Sequence, residues 1–403
     1  MAFRPLELYF YYPQIKKLTG AERLILALAS HLAANPERPA HVTIVTHYFA
    51  PECWPDVGPG VRVIAGPRRL DRFGSHYLNA AIEYLRGPAL LKQVPRRADA
   101  VCFFGPPSLP SLWWARRRRL WRTRPCLYFC YEPPRFIYSD TAAITRRLGP
   151  LGLLARPFFA LYKRLDRTMV CQADAVLANS PYGASLIARA YHRPARIITH
   201  GVDFTPASAG QIATARVRYN LPPDLPVVAT VNHLHPRKRI DLFIDTIARL
   251  KQPAIGLIVG KGPEQATLQA QAAALGLDDR IIFAGFVAEA ELPAVYGLAS
   301  VYLHTGKQES FGLSVIEALA LGVPVVSVNE GGPRDTVREG ESGHLALADP
   351  AALAAAVDDL LAAPARAAAM GRFAAADIAT RFTWQQGAAD FLAALDEVLQ
   401  HRA

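Results

Sequence analysis

Two glutamates, Glu309 and Glu317, bracket the run Ser310-Phe311-Gly312-Leu313. Leu313 to Leu321 reads as a short helix, stopped by Gly322 and barred from continuing by Pro324. Val323 to Val328 reads as a buried β-strand closed by Asn329 and a glycine pair. Glu309 thus stands in the loop before a helix, and Glu317 stands inside it. At ~1.5 Å of rise per residue the two lie roughly 12 Å apart, about the distance from a sugar to a ribose across a diphosphate. Between them lies a helix N-terminus, where free backbone N–H groups and the dipole favour an anionic phosphate. Taken alone, such a pair is more often two solvated glutamates beside an ordinary crossover helix.

The elements that must hold these carboxylates recur along the chain. Val227–Val231, Leu257–Val259, Ile281–Phe283 and Val301–Leu303 read as strands alternating with helical patterns, the rhythm of a Rossmann-like nucleotide domain. The first half repeats it with Leu6–Tyr12, His41–Thr46, Val61–Ile64, Ala100–Phe104, Cys126–Tyr131 and Ala173–Ala178, which implies a parallel sheet. Pro206, Pro222, Pro223 and Pro226 cluster between the halves. The predicted layout is a first domain over 1–203, a linker over 204–224, a second domain over 225–380 and a last helix over 381–403.

Phe311-Gly312, the strand after the helix and Gly331-Gly332-Pro333 accompany the two glutamates. Together these residues resemble the E-x7-E signature of glycosyltransferase family four, the retaining nucleotide-sugar-dependent enzymes. The resemblance implies the α/β class and the GT-B fold: two Rossmann-like domains, a deep interdomain cleft and a C-terminal helix crossing back to the first domain. It makes the first domain the acceptor side and the second the nucleotide-sugar side. Asn179-Ser180 and His200-Gly201-Val202-Asp203 resemble the family's approach to the interdomain linker.

The roles of single residues follow from the same resemblance. Glu309 would hydrogen-bond donor-sugar hydroxyls, and Glu317 would accept from both ribose hydroxyls, as one carboxylate can. Ser310, Phe311, Gly312 and Leu313 would line the donor, with the N–H groups of Gly312 and Leu313 on the β-phosphate. Phe286 and Val287 would border the base. Lys238 matches the family's phosphate-binding lysine, whereas His233 stands where an arginine is usual, with Arg237 or Arg239 as other sources of charge. Gly20 is the second of two glycines the family carries before its first helix, and Thr19 replaces the first. Tyr131 occupies the place of a sugar-contacting histidine, beside Glu132 and Arg135 beyond the carboxyl end of a strand, where ligands gather in open α/β sheets. Cleavage of a nucleotide diphosphate needs its leaving charge stabilised. The chain has no Asp-x-Asp to hold a metal, so no metal and no cofactor is expected, and protein cations with a helix N-terminus must do that work. In the family the departing phosphate, rather than a protein nucleophile or base, takes the acceptor's proton.

Composition bounds the rest. The 403 residues, 51% of them apolar, suffice for two domains with cores of their own. No signal peptide and no stretch of 18 apolar residues is evident, so neither secretion nor a membrane span is expected. Five cysteines, odd in number and without paired spacing, suit a reducing cytoplasm and argue against a zinc site. Residues 1–200 hold 29 Lys and Arg against 12 Asp and Glu, a balance of +17, while the remainder carries −6. That asymmetry points to an acidic partner, either nucleic acid or an anionic membrane surface.

Two segments suit a membrane surface. Ser111 to Arg122 mixes tryptophans with Arg116-Arg117-Arg118-Arg119, as an interfacial helix does; a solvated basic crossover helix fits equally. Arg146 to Arg167 is apolar between basic ends and too broken by Pro150, Arg156 and Pro157 to span a bilayer, leaving a membrane surface, an apolar groove or core packing. Asn329 to Pro333 and Val231-Asn232 look closest to mannosyltransferases of lipid-linked oligosaccharide assembly. The expectation is a cytoplasmic, peripheral membrane enzyme with a nucleotide-sugar donor, GDP-mannose first, and a glycolipid or saccharide acceptor. A UDP-sugar transferase or sugar-nucleotide epimerase of the same fold, and a basic nucleic-acid-binding protein, are the rivals. The last explains the charge but not the paired glutamates, and the chain lacks a nucleic-acid module.

Overall fold

The computed structural model describes residues 4–66, 82–95, 97–117, 124–147 and 149–402. Contacts divide the chain into two units, residues 1–201 with 384–403, and residues 202–383. In the first unit the strands are β1 (Leu6–Tyr11), β2 (Gln14–Ile15), β3 (Ala40–Thr46), β4 (Tyr48–Phe49), β5 (Val61–Ala65), β6 (Ala100–Phe104), β7 (Cys126–Phe129), β8 (Ala175–Ala178) and β9 (Arg196–Ile197). Seven of them form a parallel sheet in the order β5-β3-β1-β6-β7-β8-β9, and β2 pairs with β4. The central strands are almost wholly apolar because helices cover both faces of the sheet.

Helix Gly20–Ala33 covers one face with Leu24, Leu28 and Leu32, one residue per turn. Helix Trp384–Gln400 shares that core through Trp384, Phe391 and Leu395, and Phe391 lies 5.5 Å from Phe10 between ring centroids. Asp390 accepts the Thr199 N–H at 2.9 Å, and Arg38 pairs with Asp396. The last helix is therefore an integral layer of the first unit.

In the second unit β10 (Val227–Val231), β11 (Ile255–Val259), β12 (Ile281–Gly285), β13 (Val301–His304), β14 (Val325–Val328) and β15 (Gly343–Ala346) form a parallel sheet in the order β12-β11-β10-β13-β14-β15. The predicted linker is not a structureless connection. Ser208 and Gln211 cap each other at the start of helix Ala209–Arg218, and Ile212, Ala215 and Tyr219 turn into the core of the second unit. The prolines punctuate this helix on either side; they do not extend the chain.

The first basic segment is recast in part. Ser111, Leu112 and Ala115 of helix Leu109–Arg117 are buried, and Trp114 packs on the core. Arg116 pairs with Asp174 and donates to the carbonyls of Gln172 and Arg124, both at 2.9 Å, so it faces protein and not lipid. Arg118 to Arg122 lie outside the described residues. Among those described, no helix is long and apolar enough to cross a membrane. All five cysteines are free thiols, and only Cys171 is exposed.

His200 carries a pH dependence into the first unit. It is buried against the Trp384 ring, 4.6 Å between centroids, with Nδ1 2.8 Å from the Gly201 carbonyl. Burial pushes its pKa down to about 4, the hydrogen bond to Gly201 opposing the shift and Arg23 adding to it. An unfolded imidazole titrates near ~6.5, so the unfolded chain binds the extra proton. The stabilisation is full above pH ~6.5 and is lost as pH falls toward 4, on the order of 3 kcal/mol in all. His200→Gln, weaker at pH 7, should lose less on acidification, and thermal unfolding from pH 7 to 4.5 measures the difference. Parallel curves for the two proteins would exclude His200 as the titrating group.

Candidate active site

Two loops of the second unit meet at the carboxyl ends of β10 and β13. After β10 the chain runs through His233 to a single turn of 3-10 helix, Pro236–Lys238, and Arg239 takes left-handed backbone angles at φ 48° before helix Ile240–Arg249. After β13 it runs from Thr305 to Phe311. Backbone and side chain join them: the Lys307 N–H donates to the Arg237 carbonyl and the Thr305 hydroxyl to the Lys238 carbonyl, both at 2.8 Å. Arg239 closes the joint, donating to the carbonyls of Thr305 (2.7 Å) and Gly306 (3.4 Å) and pairing with Glu330 at 3.2 Å. The expectation that Arg239 could supply phosphate-binding charge is corrected here, since its guanidinium is committed to holding the loops.

That joint presents Lys238 to Glu309. The Lys238 ammonium donates to the Glu309 carboxylate at 2.6 Å, both side chains mostly buried. His304, at the end of β13 and fully buried, brings Nε2 to 3.7 Å from the same oxygen, and neither of its ring nitrogens has a hydrogen-bond partner. Burial would raise the Glu309 pKa, but its neighbours, His304 first, then Lys238 by charge and by hydrogen bond, and Arg237, hold it below the usual carboxylate range. Burial pushes His304 down to about 4, with Glu309 opposing and Lys238 and Arg239 assisting, so the imidazole is neutral and the negative charge is matched by lysine. His233 takes no part in this cluster: it stands exposed on its loop, its ring 6.4 Å from that of His235.

Glycines let the backbone close around the pair. A β-carbon on Gly306 would fall on the Glu309 carboxylate, and one on Gly332 would come within 2.6 Å of the Ser310 carbonyl oxygen and 2.7 Å of the Phe311 α-carbon. Gly312, at φ 85°, turns the chain into helix Leu313–Ala320, the predicted span with Leu321 as its C-cap. The side chains before and within that turn differ in exposure: Ser310 and Leu313 are half-buried, whereas Phe311 is buried 6.2 Å from the Phe382 ring. Glu317 is buried on the helix and accepts from the Tyr296 hydroxyl at 2.7 Å. Phe286 is 72% exposed, whereas Val287, expected beside it at the base, lies in the core of the second unit.

The residues expected in the first unit have local partners. Gly20 opens helix Gly20–Ala33, where Thr19 and Glu22 cap each other and Tyr12 donates to Glu22 at 3.1 Å. The Tyr131 hydroxyl donates to the Ala21 carbonyl at 3.1 Å, bracing that helix start. Glu132 and Arg135 pair across the first turn of helix Arg135–Tyr138. His304, Tyr296 and the clamp of Arg239 on Glu330 escaped the sequence reading. The signal for His304 was present, as an imidazole at a strand's carboxyl end directly before the glutamate loop. Among the described residues no group of three His, Cys, Asp or Glu could hold a metal.

Two family models divide the chain between them, Glycosyltransferase Family 4 over residues 18–206 and Glycosyl transferases group 1 over residues 211–377. The chain belongs to this glycosyltransferase family. A GDP-mannose-dependent alpha-(1-6)-phosphatidylinositol monomannoside mannosyltransferase of Mycolicibacterium smegmatis is 38% identical over 49% of this chain and 56% of its own length. A D-inositol 3-phosphate glycosyltransferase of Stackebrandtia nassauensis is 32% identical over 59% and 57%. These alignments span little more than half the length of the curated relatives. The crystal structure of Anabaena Alr3699/HepE in complex with UDP and glucose superposes with a TM-score of 0.72 at 21% identity, covering 97% of this chain and all of that one. The two Rossmann-like sheets with their long last helix are the GT-B fold.

The glycine contacts make a paired prediction. Gly306→Ala meets the movable end of a side chain and should displace the Glu309 carboxylate at a modest cost in stability. Gly332→Ala meets backbone and should cost about 2 kcal/mol or more. Thermal unfolding of the two variants checks the order; the reverse order would show that the carboxylate is the more rigid neighbour.

Proposed function

We propose that the chain is a retaining glycosyltransferase that moves a sugar from a nucleotide diphosphate sugar, GDP-mannose first, to a hydroxyl of a lipid-linked or polysaccharide-precursor acceptor, without a metal. The observation that carries this reading is the Lys238–Glu309 pair, a cation and a carboxylate held together directly before a helix N-terminus. The 38% identity to a GDP-mannose-dependent enzyme acting on a phosphatidylinositol mannoside supports both the donor and a lipid acceptor. We assign acceptor recognition to the first unit, with Tyr131, Glu132 and Arg135 as its candidate residues, close approach of the backbone to the donor to Gly20, and the site of action to the cytoplasmic membrane face.

In this reading the diphosphate takes up the Lys238 ammonium, whose three protons can serve a phosphate oxygen and Glu309 together. The N–H groups of Gly312 and Leu313 meet the β-phosphate, where the helix dipole favours the charge that grows as the glycosidic C–O bond breaks. Glu309 accepts from donor-sugar hydroxyls and, as an anion, stabilises positive charge at the anomeric carbon. The acceptor oxygen bonds to that carbon on the face the phosphate leaves, and the acceptor's proton passes to the departing phosphate oxygen. Tyr296 orients the Glu317 carboxylate for the ribose hydroxyls, and the exposed Phe286 ring offers a surface for the base.

A panel of nucleotide sugars tested by thermal shift identifies the donor, since a ligand at 100 times its Kd adds ~2.7 kcal/mol. GDP-mannose should stabilise most; a larger shift with a UDP-sugar would change the donor, and no shift with any would remove the reading. Glu309→Gln should keep the fold and lower kcat roughly a hundredfold, because its charge matters most in the transition state. Wild-type turnover in that variant would take Glu309 out of the chemistry. His233→Arg tests the departure from the family. A neutral imidazole offers a diphosphate one N–H donor and no positive charge, whereas a guanidinium is always charged. If His233 serves the diphosphate, the variant should keep activity at alkaline pH where the wild type loses it. Superimposable pH profiles would leave that charge to Arg237 and Lys238.

A further inference from the structure

We infer that helix Pro150–Val170 is a docking surface for an anionic lipid bilayer. One edge of this 21-residue helix is pinned to the first unit: Asp166 is buried and accepts from the Tyr138 hydroxyl at 3.0 Å, Val170 is buried, and Arg167 donates to the Ala190 carbonyl at 2.7 Å. Another edge carries Leu154, Phe158, Leu161 and Leu165, spaced by four, three and four residues and therefore aligned along the helix. They are 76%, 61%, 57% and 53% exposed, the reverse of what core packing would produce. Phe136, 43% exposed, continues the stripe through Tyr162, which lies 5.4 Å from its ring and 6.4 Å from that of Phe158.

Charge selects the occupant. From Thr141 to Val170 the sole acidic residue is the buried Asp166, whereas Arg146, Arg147, Arg156, Lys163, Arg164 and Arg167 all retain exposed surface. A second copy of the chain would bring two such cationic faces together, which like charges oppose. An apolar stripe on a helix whose exposed charges are all cationic is what lies in the headgroup plane of an anionic membrane, rings and leucines in the acyl boundary and arginines on the phosphates. The helix is too polar to cross the bilayer. Of the two segments expected at a membrane surface the inference rests on this one, Arg116 of the other facing protein, and it does not depend on the donor chemistry.

Sedimentation of the full chain with phosphatidylcholine vesicles, with and without phosphatidylglycerol, tests it. The wild type should bind only the phosphatidylglycerol vesicles and be released by high salt. Phe158→Ser with Leu161→Ser, both exposed positions, should weaken partitioning at least tenfold. Arg156→Gln with Arg164→Gln should weaken it as well, each cation near the surface being worth roughly fivefold. Both variants should keep the wild-type thermal shift with nucleotide sugar, so a failed donor assignment and a failed docking surface give different results. No binding to phosphatidylglycerol vesicles, or binding indifferent to the serine pair, would overturn the inference. So would a concentration-dependent dimer that the serine pair abolishes, which would make the stripe an interface between copies.

Discussion

Burying a carboxylate as an anion is costly unless a cation or hydrogen bonds come with it, and the need for such a partner organises the second unit around Glu309. The Lys238 ammonium reaches it only because the turn Pro236–Lys238 is bound to the loop after β13 by backbone and side-chain hydrogen bonds. Arg239 then spends its guanidinium on the carbonyls of that loop, and Glu330 balances it. Three neighbouring basic residues thus have three positions: Arg237 exposed, Lys238 on the carboxylate, Arg239 in the scaffold. Left-handed backbone at Arg239 separates the last two.

The same requirement explains the glycines. Gly306 leaves the volume that the Glu309 carboxylate occupies, and Gly331 and Gly332 let the chain after β14 pass against the backbone of Glu309 and Ser310. The Gly332 N–H donates to the Glu309 carbonyl at 2.7 Å, so the glutamate is fixed through its main chain as well as its side chain. Rigid support of this kind is what an electrostatic site needs, because groups already in place cost no reorganisation when charge develops.

Periodicity made the fold legible. Apolar runs such as AVCFF and VVATV are strands buried on both faces, and the helix from Leu313 was marked at both ends by glycine. What escaped were the features set by long-range packing. The neutral state of His304 depends on burial under several elements, and Val287 looks like a surface neighbour of Phe286 until the core claims it. Four prolines suggested a linker where a capped, amphipathic helix closes the second unit, because proline marks an interruption without saying whether the residues between interruptions are packed. Arg116 read as one of four alike until its contacts with Asp174, Gln172 and Arg124 set it apart.

The placement of the last helix has a consequence for biosynthesis. Trp384, Phe391 and Leu395 of that helix complete a core whose members outside it, among them Phe10 and Leu28, leave the ribosome before any of the second unit. The second unit, by contrast, is one uninterrupted length of chain, residues 202–383, and every strand of its sheet is translated before the last helix. Beside helix Gly20–Ala33, the nascent chain must therefore leave open the part of that core which the last helix covers while the later unit is made and folds. The order of folding runs against the order of synthesis, and the unit begun first is the one finished last.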